Sequence, residues 1–225
     1  MFALPRLFST LYSCFLAIIS PPACAYCKQY LDERKVYCNG CFVKLQPVVT
    51  MLLPITTTRS VKIFAACAYR EPIKSLIVAK SWSDVVASKQ LADIIWQMTD
   101  IANAPCDFFV PVPLHWTRFA HRGFNQAEEM AKHLAKSKGT QVANILKRVK
   151  RTPFQSGLTS DMRRANLQDA FDIKGSDITK YKDKHLIIVD DLFTTGSTIR
   201  SCAKLLFQLK PASVSVVVAS RVIPL

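Results

Sequence analysis

The sequence predicts an α/β protein, a doubly wound and mostly parallel sheet that carries a small four-cysteine module toward its N-terminal end. Three observations predict it. From residue 106 onward, apolar β-rich runs alternate with stretches of helical periodicity, the pattern of parallel strands joined by crossover helices. Before residue 48, two Cys-x2-Cys pairs stand ten residues apart, a spacing that belongs to a knuckle rather than to a sheet. The chain has 225 residues and is 50% hydrophobic, enough for one sizeable core with a small appendage and too apolar for a disordered chain. Six glycines and twelve prolines exclude a collagen-like or linker-dominated protein. Thirty Lys and Arg stand against 16 Asp and Glu, a net charge of +14, which favours a polyanionic partner such as nucleic acid or a phosphorylated metabolite.

Residues 11–19 are apolar, preceded by Arg6 and followed by Ala23-Cys24-Ala25, which mimics a signal peptide with its cleavage site. Cleavage there would remove Cys24, and the run is far short of the ~20 residues that span a bilayer. An amphipathic helix packed on the body of the protein is the expectation, with no membrane span and a cytoplasmic location. Cys24, Cys27, Cys38 and Cys41 form the two pairs. Four thiolates from two tight turns suit a tetrahedral Zn²⁺. A pair of disulfides or a redox motif is the competing reading, which a cytosolic chain disfavours. With no open coordination position, such a zinc is structural. Cys14, Cys67, Cys106 and Cys202 lack ligand spacing and read as small buried hydrophobes.

The remaining elements follow in order. Residues 49–60 read as a connector, 61–69 as a strand, and 72–79 as a short helix with proline in its first turn. Residues 84–101 read as a long amphipathic helix, with Val85, Leu91, Ile94, Ile95 and Met98 on one side. Strands are expected at 108–112, 142–149, 185–191 and 212–222, helices at 125–136 and 197–209, and a basic loop at 150–164. Three units result: 1–48 with the N-terminal helix and zinc module, 49–105 as linker and hood-like helical segment, and 106–225 as the core.

The strongest chemistry lies at 186–198. Four apolar β-formers run into Asp190 and Asp191, then Leu192 and Phe193, then the turn Thr194-Thr195-Gly196-Ser197-Thr198, then a helix. The acids leave the carboxyl end of a central strand, where they can accept hydrogen bonds from ribose hydroxyls. The turn offers backbone N–H groups and short hydroxyls at a helix N-terminus, a cradle for a 5-phosphate. This segment resembles the phosphoribosyl-pyrophosphate (PRPP) motif of type I phosphoribosyltransferases. It departs from the hypoxanthine-type purine enzymes, which carry an aspartate acting on the purine ring where this chain has Thr194. A hydroxyl is a poor general base at neutral pH.

Two further stretches narrow the family. Val110-Pro111-Val112-Pro113 is followed by Arg118 and by Arg122-Gly123-Phe124-Asn125-Gln126-Ala127. In type I transferases the loop after the first core strand meets pyrophosphate, and two arginines suit an anion there. Four of the five residues from Lys147 to Arg151 are basic (Lys147, Arg148, Lys150, Arg151), and Arg163 and Arg164 follow. Such a loop can close over a diphosphate or track a DNA backbone. Phe119, Phe124 and Phe154 are candidates for base stacking beside it, with ordinary core packing as the alternative.

Taken together, the double Cys-x2-Cys module, the Arg-Gly-Phe-Asn-Gln run, the basic stretch leading to Gln155, Asn166 and Ala170-Phe171, and the Asp-Asp motif resemble the ComF family, the competence protein F and GntX-like proteins. The resemblance implies a type I phosphoribosyltransferase fold and a role in uptake and processing of external DNA in natural transformation. It implies single-stranded DNA and DNA-processing proteins as partners, with PRPP or another ribose 5-phosphate as ligand. An active transferase is the alternative, with Asp190 and Asp191 as catalytic residues, Mg²⁺ accompanying PRPP, and an acceptor base or amine that the sequence does not identify.

Overall fold

A computed structural model describes residues 22–33, 35–79, 85–114, 123–149, 170–175 and 179–223. The apolar run before residue 20, Cys14, Arg118, Phe119, Arg122, Lys150, Arg151, Phe154, Gln155, Arg163, Arg164 and Asn166 lie outside the described residues.

In chain order the elements are α1 (Asn39–Phe42), β1 (Met51–Pro54), β2 (Ser60–Ala68), α2 (Ile73–Ala79), α3 (Val85–Met98), β3 (Phe108–Pro111), α4 (Gln126–Lys138), β4 (Gln141–Val142), β5 (Leu146–Arg148), β6 (Phe171–Ile173), β7 (His185–Phe193), α5 (Ser197–Gln208) and β8 (Ser213–Arg221). Short 3-10 turns follow α3 and precede β7. Six strands form one sheet in the order β1-β2-β8-β7-β3-β4. Among the described strands of this sheet, β1 pairs with β2 antiparallel and the other pairings are parallel. β5 and β6 form a separate antiparallel ribbon.

The sheet is buried on both faces, which explains why its central strands read as continuous apolar runs rather than alternating ones. Along β7, Ile187 and Val189 join one apolar cluster with Leu91 and Ile95 of α3 and Met130 and Leu134 of α4. Leu186 and Ile188 join the other, with Ile199, Cys202 and Leu206 of α5. Each such fully buried aliphatic side chain stabilises the fold by roughly 1.5–3 kcal/mol. α4 begins at an Asn125 N-cap and ends at Gly139, whose φ of 71° makes the left-handed C-cap. Its first turn holds Glu128 and Glu129 and its last turn Lys136 and Lys138, charges that complement the helix dipole.

The segment expected as a connector contains β1, and β2 pairs in parallel with β8. The sheet therefore draws strands from both 49–105 and 106–225. The strand expected over 142–149 is two, β4 in the main sheet and β5 in the ribbon. The cysteine module packs on the α3 side: Cys24, Val36, Tyr37, Cys41 and Leu45 belong to the same cluster as Ile73, Leu91 and Ile94. Tyr37 is 3% exposed and donates its hydroxyl to the Pro72 carbonyl at 3.2 Å. Among the described residues no helix is long and apolar enough to cross a membrane.

Candidate functional site

The connections set where a ligand can sit. β3 leads through α4 to β4 at one edge, and β7 leads through α5 to β8 in the opposite direction. The two helices cover opposite faces. Between β3 and β7 the winding reverses, and in open α/β sheets the crevice beyond the carboxyl ends of such strands receives the ligand.

β3 runs level with β7 only as far as Pro111, opposite Val189, and Val112 N–H closes the pairing on the Val189 carbonyl at 3.0 Å. β7 continues, paired with β8, through Phe193 opposite Arg221. Asp190 and Asp191 thus stand past the end of β3, on the lip of the crevice. The strand continues two residues beyond its expected end. Both acids are half-buried, and the Asp190 carboxylate accepts the Asp191 N–H at 2.9 Å. Thr194 and Thr195 are exposed, Gly196 and Ser197 are buried, and Thr198 is half-buried. Thr195 Oγ1 and Ser197 Oγ share a hydrogen bond of 2.6 Å. Gly196 is the N-cap of α5 and brings no side chain to cap it, and the N–H groups of a helix's first turn are donors suited to an anion.

Gly196 has φ of +76°. A Cβ there would lie 2.9 Å from Cζ of Phe193 and 3.3 Å from Cδ2 of Leu53. Gly196→Ala is therefore expected to destabilise the protein by at least the roughly 1–2 kcal/mol of a left-handed non-glycine residue. Urea unfolding measures it, and a midpoint equal to that of the parent would contradict the turn geometry.

Across the crevice stands the end of β3, tied to the start of α4. Asn125 makes the tie: Nδ2 donates to the Val112 carbonyl at 3.0 Å and Oδ1 accepts from Ala127 N–H at 3.1 Å. The sequence marked Asn125 only as part of a run and a helix start. Its second bond, back to the strand end, had no signal in the pattern. Beside Asn125 lies a cavity of about 520 Å³, whose lining includes Pro113, Asn125, Asn144, Lys147, Arg148 and Lys174. Lys147 forms an ion pair with Asp172 at 3.0 Å across the ribbon. This contact, followed by the Ile173 N–H, holds the Asp172 carboxyl below its usual range. Arg148 is half-buried, with its guanidinium 5.3 Å from the centroid of the Phe171 ring.

The cysteine tetrad forms a second centre. The Sγ atoms of Cys24, Cys27, Cys38 and Cys41 all lie within 4.8 Å of one another, and those of Cys27 and Cys38 are 3.7 Å apart. That is far from the ~2.05 Å of a disulfide and matches the ~3.8 Å edge of a tetrahedron with ~2.3 Å metal–sulfur bonds. The first knuckle turns through Lys28, at φ 63°, with Lys28 N–H bonded to the Cys24 carbonyl. Burial opposes ionisation of Cys24, but hydrogen bonds from the backbone of Cys38, Cys27 and Tyr26 outweigh it and bring the thiol down to about 6. The tetrad could hold a metal ion such as zinc. Of the other cysteines, Cys67 and Cys202 are fully buried and burial raises both thiols. Cys106 is half-buried.

Comparison with known proteins places this architecture. The phosphoribosyl transferase domain family matches residues 119–222. Competence protein F of Haemophilus influenzae is 30% identical over 204 residues, covering 87% of this chain and 83% of that protein. The chain belongs to the ComF family. The ComF-family chain is also similar to the DNA utilization protein YhgH of Escherichia coli K12, 34% identical over 111 residues, or 49% of this chain and 47% of that protein. It is similar to competence protein ComFC of Streptococcus pneumoniae, 36% identical over 98 residues, or 44% and 40% of the two chains. The fold of this ComF-family member is accordingly of type I phosphoribosyltransferase type, with the four-cysteine module packed against it.

Proposed function

We propose that this ComF-family protein acts in the cytoplasm in uptake and processing of external DNA, binds single-stranded DNA, and holds PRPP or another ribose 5-phosphate in the crevice between β3 and β7. The observation that carries the ligand reading is the unit formed by the end of β7 and the start of α5. It sets two adjacent carboxylates against a turn of N–H and hydroxyl donors at the switch point. The carboxylates suit the ribose hydroxyls and the turn of residues 194–198 suits the 5-phosphate. Arg118 and Arg122 belong to the loop that would meet the diphosphate. Mg²⁺ bound with PRPP would supply charge neutralisation through oxygen ligands. Zn²⁺ in the tetrad would be structural, since four cysteines leave no open position. DNA use is supported by what its relatives are named for, competence and DNA utilization, and by the net charge of +14.

Catalytic transfer is the second reading, supported by two adjacent acids at the carboxyl end of β7, which would stabilise charge growing at the anomeric carbon of a bound ribose. Titration with PRPP and Mg²⁺, followed by assay of pyrophosphate release with a panel of nucleobases and amines, tests both. Binding is expected at micromolar PRPP. Failure to bind would overturn the pocket reading, and binding without release for any acceptor would overturn the transferase reading alone.

A further inference from the structure

The basic stretch that the sequence offers to DNA is, where described, already engaged: Lys147 on Asp172, and Arg148 half-buried on Phe171. A different set of exposed lysines lies at the other end of the sheet, among them Lys180, whose ammonium is 5.0 Å from the Tyr181 ring centroid. The turn before β7 reads Thr-Lys-Tyr-Lys-Asp-Lys, residues 179–184. It is stitched to the turn before β8, because Asp183 N–H donates to the Lys210 carbonyl at 3.0 Å and Ala212 N–H to the Lys184 carbonyl at 2.9 Å. These bonds set Lys180, Lys182, Lys184 and Lys210 on adjoining turns at one end of the sheet, and all four are exposed. Arg59, in the turn before β2, adjoins it, with its guanidinium 4.9 Å from the Phe207 ring centroid and one N–H on the Phe207 carbonyl. Among the described residues the acids nearby are few. Asp107 is held by Lys184 at 3.6 Å and by the His185 N–H at 2.8 Å, leaving exposed Asp183 as the counter-charge within the turn.

A helix C-terminus explains a lysine just beyond it, as Lys210 stands beyond α5. It does not explain Lys180 and Lys182, which follow no helix of that kind. Neither Lys182 nor Lys210 has a carboxylate within ion-pair distance among the described residues. Flexible, hydrated ammonium groups on linked turns are suited to a phosphate chain rather than to one small anion, which asks for fixed donors.

We propose that this basal platform of Arg59, Lys180, Lys182, Lys184 and Lys210 binds the phosphate backbone of single-stranded DNA. The proposal rests on the DNA-binding reading above and gives it a location. From His185 to Asp190 the strand advances five residues, roughly 16 Å at ~3.3 Å each. The ribose-phosphate crevice and the platform therefore lie at opposite ends of the sheet, and both ligands bind at once.

The test is fluorescence anisotropy of a labelled oligothymidylate across a salt series, with the full chain. Each lost phosphate contact on a single strand lowers the log–log salt slope by about 0.7. The variant Lys180→Gln/Lys182→Gln/Lys184→Gln/Lys210→Gln is expected to lower the slope by about 3 and weaken binding at least ~30-fold at 0.1 M salt. Its PRPP titration is expected to be unchanged, and saturating PRPP should not displace the oligonucleotide. If the four-site variant unfolds, Lys180→Gln/Lys182→Gln, at two exposed positions, should lower the slope by about 1.4. A folded variant with unchanged slope, beside a parent that binds, overturns the location and leaves the DNA reading standing. Displacement by PRPP does the same. A parent that does not bind the oligonucleotide at low salt overturns both.

Discussion

Asp190→Asn/Asp191→Asn is expected to leave a folded protein that no longer binds PRPP at concentrations saturating the parent. The two substitutions remove charge while keeping shape and one acceptor oxygen on each side chain. The amide oxygen introduced at position 190 would still accept the neighbouring N–H, as the Asp190 carboxylate does at 2.9 Å. The sheet pairing beyond Val189 is to β8 and runs through the backbone, so the register does not depend on either charge. The ligand interaction does. A hydrogen bond to an ionised group contributes roughly 1.5–3 kcal/mol. Two of them together correspond to about 3–6 kcal/mol, or roughly 10²–10⁴ in affinity. Calorimetric titration against the parent, beside thermal unfolding of both, measures the two quantities separately. A double variant that binds within about threefold of the parent would remove the acids from the site.

Cys41→Ser is expected to release the metal and loosen the N-terminal module from the body of the protein. The effect should exceed that of an ordinary buried cysteine. Structural zinc sites in small peptides carry apparent binding energies of ~10–16 kcal/mol, and a Ser hydroxyl is a poor replacement for a soft thiolate. Cys41 is 4% exposed and Cys24 is fully buried, in one cluster with Ile73, Leu91 and Ile94. Unfolding of the knuckles therefore uncovers the outer side of α3 as well. A loss of ~3 kcal/mol or more corresponds to about 6–12 °C in a domain of this size. Metal analysis should fall from about one equivalent to near zero, and chelation of the parent should reproduce the lower unfolding temperature. Retention of a full equivalent by the variant would reject the tetrad as the metal site.

Much of the site was legible because its chemistry is local. The run from Leu186 to Thr198 names a strand, two acids, a turn and a helix within thirteen residues, and the structure has all of them in that order. The cysteine pairs were legible for the same reason. What escaped the pattern depends on partners distant in sequence. Lys147 and Arg148 read as open cations because nothing nearby announces Phe171–Ile173, the strand that pairs with them and supplies Asp172 and the Phe171 ring. The lysines of 179–184 carry no motif of their own, and it is the Lys210 turn, distant in sequence, that is bonded against them. Likewise β2 showed itself as a strand, but its place beside β8 is set by parallel pairing across the sheet, such as Ile63 with Val216. Short-range periodicity carries no trace of such pairing.

That placement of β8 bears on synthesis. It is made after every other strand of the sheet, yet it lies between β2 and β7. Until it leaves the ribosome, β2 with β1 and β7 with β3 are two half-sheets with open inner edges and partly uncovered apolar faces. Contacts spanning about 150 residues, such as Cys67 with Ser220, must form late and slowly. An unfinished chain of this kind is exposed to aggregation through those edges. Ribosome-bound chains stalled before residue 213 should be protease-sensitive throughout, and the whole sheet should gain resistance together once the final strand is released.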